Sequence, residues 1–298
     1  MRLLLIGTSA LIFLGGAPVD VDAASIKHLK SIYVDQEGGR LALPKGVTCD
    51  DKTVVVADTG NARLAVFSWE AQILTPKSVL PLAGIKPGII QMNSRGELFL
   101  LDGKTRTIKK IGADGLLAGE LKPTKLPDSR PFIPRSFRID HQDNFYLLDL
   151  FSARILILDA TGQFLRQIPF PTEIGYISDL EINKRGTLYL LDSVAGAIYT
   201  AEQGEKSFAI LSQGLKEYMN FPTHLAVDRQ DTIYLSDQYG SGLVLVGPDG
   251  SFLGRKFSMG WEDGQFNYPT QICIDGQNRL FVADKNNSRV QVFSLQEE

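Results

Sequence analysis

Six aspartates recur along the chain, each closing an apolar run: VVVAD at Asp58, LFLLD at Asp102, FYLLD at Asp149, LYLLD at Asp192, IYLSD at Asp237 and LFVAD at Asp284. A row of carboxylates is raw material for acid–base or metal chemistry, but the spacing argues for another use. Arg63, Arg154 and Arg289 each stand five residues after their aspartate, an offset that suits carboxylate–guanidinium pairing and turn capping. A residue present in every unit serves the unit, so this set is expected to be structural. The other chemistry-bearing types are sparse: three histidines (His28, His141, His224) and two cysteines (Cys49, Cys273). No CxxC, CxxCH or GxSxG sequence occurs, which removes zinc ribbons, c-type haem attachment and a serine nucleophile elbow.

The elements behind these residues follow from the period. Successive aspartates lie 44, 47, 43, 45 and 47 residues apart, a repeat length that points to propeller blades covering one another's faces. Each unit reads as an inner strand such as PTHLAVD, a tight turn such as DRQDT, the aspartate-terminated strand, a third strand such as ARILILD, and a hairpin into a fourth. The sixth unit supplies three strands, which leaves an open edge. The segment LKSIYVD (Leu29 to Asp35) reads as a lone strand able to cover it. The expected fold is therefore an all-β six-bladed β-propeller with four antiparallel strands per blade, closed by the N-terminal strand completing blade 6.

Inner strands of such a ring start beside the central channel, on the face that carries the loops after the repeat aspartates. Four residues back from the end of each inner strand stand Gly46, Ile89, Ser136, Asp179, His224 and Gln271. Their neighbours are Lys45, Gly88, Arg135, Ser178, Thr223 and Thr270. Polar side chains thus crowd blades 3 to 6, and a ligand site is expected at this mouth around Arg135, Asp179, His224 and Gln271. Asp179, His224 and Gln271 are a poor donor set for a divalent cation. Two long connections, Lys122 to Pro134 and Phe257 to Tyr268, should flank the mouth, the second offering Trp261 as a rim contact. Cys49 and Cys273 fall on the inner strands of blades 1 and 6. Packed sheets stand about 10 Å apart and a disulfide needs Cα atoms within about 4.4–6.8 Å, so two free buried thiols are expected.

The motifs DTGNARLAVF (Asp58 to Phe67), DKNNSRVQVF (Asp284 to Phe293) and GQFNYPTQICID (Gly264 to Asp275) closely resemble NHL repeats, over roughly residues 40–298. Blade 2 departs from the pattern, with Arg106 one place early, and blades 4 and 5 carry Ala197 and Gly242 where the arginine would fall. NHL propellers generally act as interaction platforms, so the resemblance implies a non-enzymatic binding or scaffold module with a protein partner and no cofactor. Six-bladed relatives also include metal-dependent lactonases and amidating lyases, the alternative reading. The lyases hold zinc with several histidines and the hydrolases use a Glu/Asn/Asp set, against which this chain offers only Asp179 and Glu181.

Composition bounds the remainder. Hydrophobic residues make up 44% of 298, and the net charge of -3 gives no global positive field for nucleic acid. Arg2 precedes an apolar run from Leu3 to Gly16 and then Val21-Asp22-Ala23, the pattern of a signal peptide cleaved after Ala23. The expected mature chain is a single domain, residues 24–298, monomeric, periplasmic or secreted, and without a stable membrane span.

Overall fold

The computed structural model describes residues 25–296; the expected leader, residues 1–23, lies outside them. Among the described residues there is no α-helix, only three short 3-10 turns between strands. Six four-stranded antiparallel sheets make up the ring. Their inner strands are Gly46–Cys49, Pro87–Met92, Pro134–Ile139, Ile177–Ile182, Pro222–Val227 and Pro269–Ile274. The aspartate-terminated strands are buried on both faces, which is why they read as unbroken apolar runs.

An apolar cluster fills each interface between successive blades. Phe99, Leu101, Phe137 and Leu147 pack blade 2 on blade 3, and Val54, Phe67, Trp69, Phe281 and Val290 pack blade 1 on blade 6. That last cluster closes the circle. The ring is also closed through backbone hydrogen bonds, because Ser25–Ile32 pairs antiparallel with the final strand Arg289–Gln296 and completes blade 6. The closing strand lies earlier than the expected Leu29 to Asp35. Tyr33 to Asp35 instead enter a turn in which the Asp35 carboxylate accepts the Glu37 and Gly39 amides.

The repeat aspartates are fully buried, and each accepts an amide from the loop leading into its own blade's inner strand. The donors include Ala42 for Asp58, Lys86 for Asp102, Ile133 for Asp149, Tyr176 for Asp192, Phe221 for Asp237 and Asn267 for Asp284. Arg63, Arg154 and Arg289 each add a Nε donor, at 2.7, 3.2 and 2.7 Å. In blade 5 the missing arginine is replaced from the outer strand, where Arg255 reaches Asp237 at 2.6 Å. Four residues after each aspartate the backbone turns left-handed, at Ala62, Arg106, Ala153, Gly196, Ser241 and Ser288. Arg106 occupies that turning position itself, which is why it does not pair with Asp102 as the arginines one place later do.

The expectation of free thiols is overturned. Cys49 and Cys273 form a disulfide with Cα atoms 6.1 Å apart. Inner strands converge toward the axis well inside the usual spacing of packed sheets, and the pair falls within bonding range.

Candidate functional site: a basic cavity at the channel mouth

The side chains counted along the inner strands separate into two layers. Deeper in the channel, Asp179 is fully buried and both its oxygens are taken. One accepts the Ser136 hydroxyl, and the other accepts Arg138 Nη2 at 2.8 Å and the Leu225 amide at 3.1 Å. Arg138 also donates through Nε to Glu181 at 3.0 Å. Gln271 crosses from blade 6 to blade 2, its amide group donating to the Ile90 carbonyl at 2.9 Å and accepting the Ile90 amide at 3.0 Å. This crossing requires Gly46, because a Cβ there would sit 2.9 Å from Gln271 Oε1 and 2.3 Å from the Gly88 carbonyl. Asp179 and Gln271 are therefore bound up in the channel wall rather than presented at the mouth where the count along the strands put them.

Above that layer the mouth opens into a cavity of about 370 Å³. Arg135 and His224 line it; Asp179, Gln271 and Trp261 do not. Trp261 is 77% exposed, on a loop that Arg289 holds against blade 6 through the Glu262 and Gln265 carbonyls. The same cavity is lined by Lys45, Lys86, Arg106 and Lys285. Lys45 stood in the counted register, next to Gly46. Lys86 precedes the inner strand of blade 2, and Arg106 and Lys285 follow the aspartate-terminated strands of blades 2 and 6, so counting along the inner strands passes them by. The signal for Arg106 was present in its displacement from the repeat.

Electrostatics at the mouth are one-sided. Burial, then repulsion from Lys285, Lys86 and Arg135, pushes the Lys45 ammonium below its ordinary 10.5. Burial lowers His224 to about 4, with Arg135 and Arg138 adding to the effect and Asp179 opposing it. The imidazole is thus neutral at pH 7, with Nδ1 3.0 Å from the Thr223 hydroxyl. A divalent cation does not fit this donor set. The nearest carboxylate, Asp179, is already saturated, and no group of three or more His, Cys, Asp or Glu side chains converges among the described residues. The other end of the channel opens into a cavity of about 320 Å³ lined by Arg138, Glu181 and the disulfide. The outlying histidines contribute to neither cavity: His28 lies on the closing strand and His141 in an exposed turn.

The NHL repeat model matches residues 266–293. No curated protein matches the sequence. Among solved structures, a gluconolactonase from Xanthomonas campestris has a TM-score of 0.66 at 16% identity, covering 92% of this chain and 90% of that one. Virginiamycin B lyase from Staphylococcus aureus has a TM-score of 0.56 at 14% identity, covering 92% and 90%. A protein of unknown function from Bacteroides thetaiotaomicron has a TM-score of 0.65 at 14% identity, covering 92% and 76%. Likeness at this level of identity shows the fold. It also removes the ground for expecting a non-enzymatic scaffold, which rested on what NHL propellers generally do: the architecture is shared over nine-tenths of the chain with a lactonase and a lyase. No described helix is long and apolar enough to cross a membrane. The chain is a six-bladed β-propeller that carries one matched NHL repeat, at residues 266–293.

Proposed function

We propose that this propeller is an enzyme, a hydrolase or lyase acting on an ester-type or lactone-type carbonyl compound at the channel mouth. The observation that carries the reading is one cavity holding two bases displaced toward their neutral forms, His224 and Lys45, beside a wall of fixed positive charge. Both reaction types begin with removal of a proton, from water for hydrolysis or from the carbon beside the carbonyl for elimination. In each, negative charge then develops on oxygen, where Arg135 and Lys86 stabilise it without having to reorganise. Lys45 is assigned as the base and returns the proton to the departing oxygen. His224, neutral and anchored through Nδ1, leaves Nε2 to hydrogen-bond the substrate. The enzymatic character of the gluconolactonase and the virginiamycin B lyase supports this reading, and no metal takes part in any step of it.

We further propose that the chain is exported after cleavage at Ala23. The Cys49–Cys273 bond supports this, because disulfides persist in oxidising compartments and are rare where thiols are kept reduced.

The test is turnover of a panel of lactones and cyclic ester peptides, with acid release followed by pH-stat and new conjugated alkenes by absorbance. At least one class should react, and Lys45→Met should lower kcat by ~100-fold or more, the scale of a lost general base. No turnover anywhere in the panel, or full turnover by Lys45→Met, overturns the reading.

A further inference from the structure

We infer that the channel mouth binds a compact organic anion carrying two or more negative charges, as carboxylate or phosphate groups, and that this anion is the recognition group of the substrate. The inference deepens the enzymatic reading and rests on it for the word substrate; the binding itself stands on the geometry of the cavity.

Five basic side chains, Lys86, Arg106, Arg135 and Lys285 with Lys45 beside them, line one cavity whose lining includes no aspartate or glutamate. Composition does not explain this, since acidic residues outnumber Lys and Arg by 34 to 31. Elsewhere the protein pairs its buried guanidinium groups closely with carboxylates. Arg63 meets Asp35 and Asp58, Arg138 meets Asp179 and Glu181, Arg154 meets Asp149, and Arg279 meets Asp275. None of these five makes an ion pair among the described residues. Arg135 donates to the Tyr176 hydroxyl at 3.0 Å, and Lys285 lies over the Tyr268 ring at 4.5 Å. Those contacts orient the two side chains and leave their charges unneutralised.

Holding like charges together costs free energy, and the Lys45 ammonium, depressed first by burial, is pushed down further by Lys285, Lys86 and Arg135. An incoming anion relieves that repulsion and supplies the counter-charge the wall lacks. Arginines 106 and 135 offer forked donors suited to planar or tetrahedral oxyanions, while the lysines add point charges. A concave site of about 370 Å³ takes a small molecule, whereas a nucleic-acid duplex would need an extended basic surface. Low-dielectric walls around the mouth focus the field outward and raise the local concentration of anions.

The probes are inorganic phosphate and citrate, titrated calorimetrically into the exported, disulfide-bonded protein at low and high NaCl. At least one should bind, the two arms separating phosphate from carboxylate preference, and its Kd should rise at least fivefold between 50 and 300 mM NaCl. Lys86→Gln combined with Arg106→Gln should weaken binding at least tenfold. Arg95→Gln combined with Arg130→Gln, which removes two exposed arginines outside the cavity, should leave binding unchanged. No heat with either probe at 10 mM, or equal weakening by both double variants, overturns the inference. The turnover panel distinguishes the two claims. Anion binding without any turnover leaves the site standing and removes the enzymatic reading. Turnover of neutral lactones that neither probe inhibits keeps the enzyme and removes the anion site.

Discussion

At the scale of single residues, His224 shows how burial sets chemistry. An ordinary imidazole titrates near 6.5, and here it is held near 4 by loss of solvent beside Arg135 and Arg138. The unfolded chain therefore binds a proton at this position between those two values while the folded protein does not. Stability contributed by the neutral ring is complete above about pH 6.5 and is lost as pH falls toward 4, by roughly 3 kcal/mol in all. His224→Gln should remove this acid-side slope. Buried carboxylates oppose it, since burial raises Glu181 and Asp228 and stabilises the fold as pH falls, so the informative quantity is the difference between wild type and variant. Denaturant unfolding at pH 7 and at pH 4 gives that difference directly. Parallel pH profiles for the two proteins would show that His224 is protonated in the folded state.

At the scale of elements, the outer strand Ser25–Ile32 is the piece whose sequence says least about its role. Its burial alternates weakly, with half of its residues exposed and Ile32 alone buried, so SIKHLKSI carries no continuous apolar stripe. What could be read was the need for it: five complete units and one of three strands leave an edge that something must cover. The register could not be read, because YVD looks more like a strand than KHL does, and only the Asp35 turn excludes it. By contrast, the aspartate-terminated strands were legible to within a residue, being apolar on both faces and ended by a carboxylate that ties down the loop leading into its own blade. Removing Ser25–Ile32 should expose the backbone of Arg289–Gln296 and uncover Ile32's place in the cluster between blades 6 and 1. Loss of that one side chain alone costs about 1.5–3 kcal/mol. The truncated protein is expected to melt at least 10 °C lower and to associate through its open edge, visible by size-exclusion chromatography. A monomer with an unchanged melting temperature would mean that blade 6 is stable with three strands.

At the scale of the whole molecule, the ring is closed twice, and only one closure was visible in the sequence. Strand count announced the outer one. The inner one, Cys49–Cys273, depends on how steeply six inner strands converge, a property of the assembled ring that no local segment encodes. The cationic mouth is similar: Arg135 and His224 could be found by counting along strands, but Lys86, Arg106 and Lys285 meet them only because separate loops end over one channel. The two closures should act together. The disulfide joins positions 224 residues apart, for which chain entropy alone gives about 5.4 kcal/mol. Reduction, or Cys49→Ser with Cys273→Ser, should therefore lower the melting temperature while the outer strand still holds blades 1 and 6 together. Losing the outer strand as well leaves only the apolar cluster between those blades, and the ring can open there. Each closure limits the damage done by losing the other, so the combined loss should exceed the sum of the separate ones, a coupling of the kind that neighbouring sites show. Thermal unfolding of the four proteins, intact, reduced, truncated, and truncated and reduced, measures it. Strict additivity would show that the two closures stabilise blade 6 independently rather than sharing the task of keeping the ring shut.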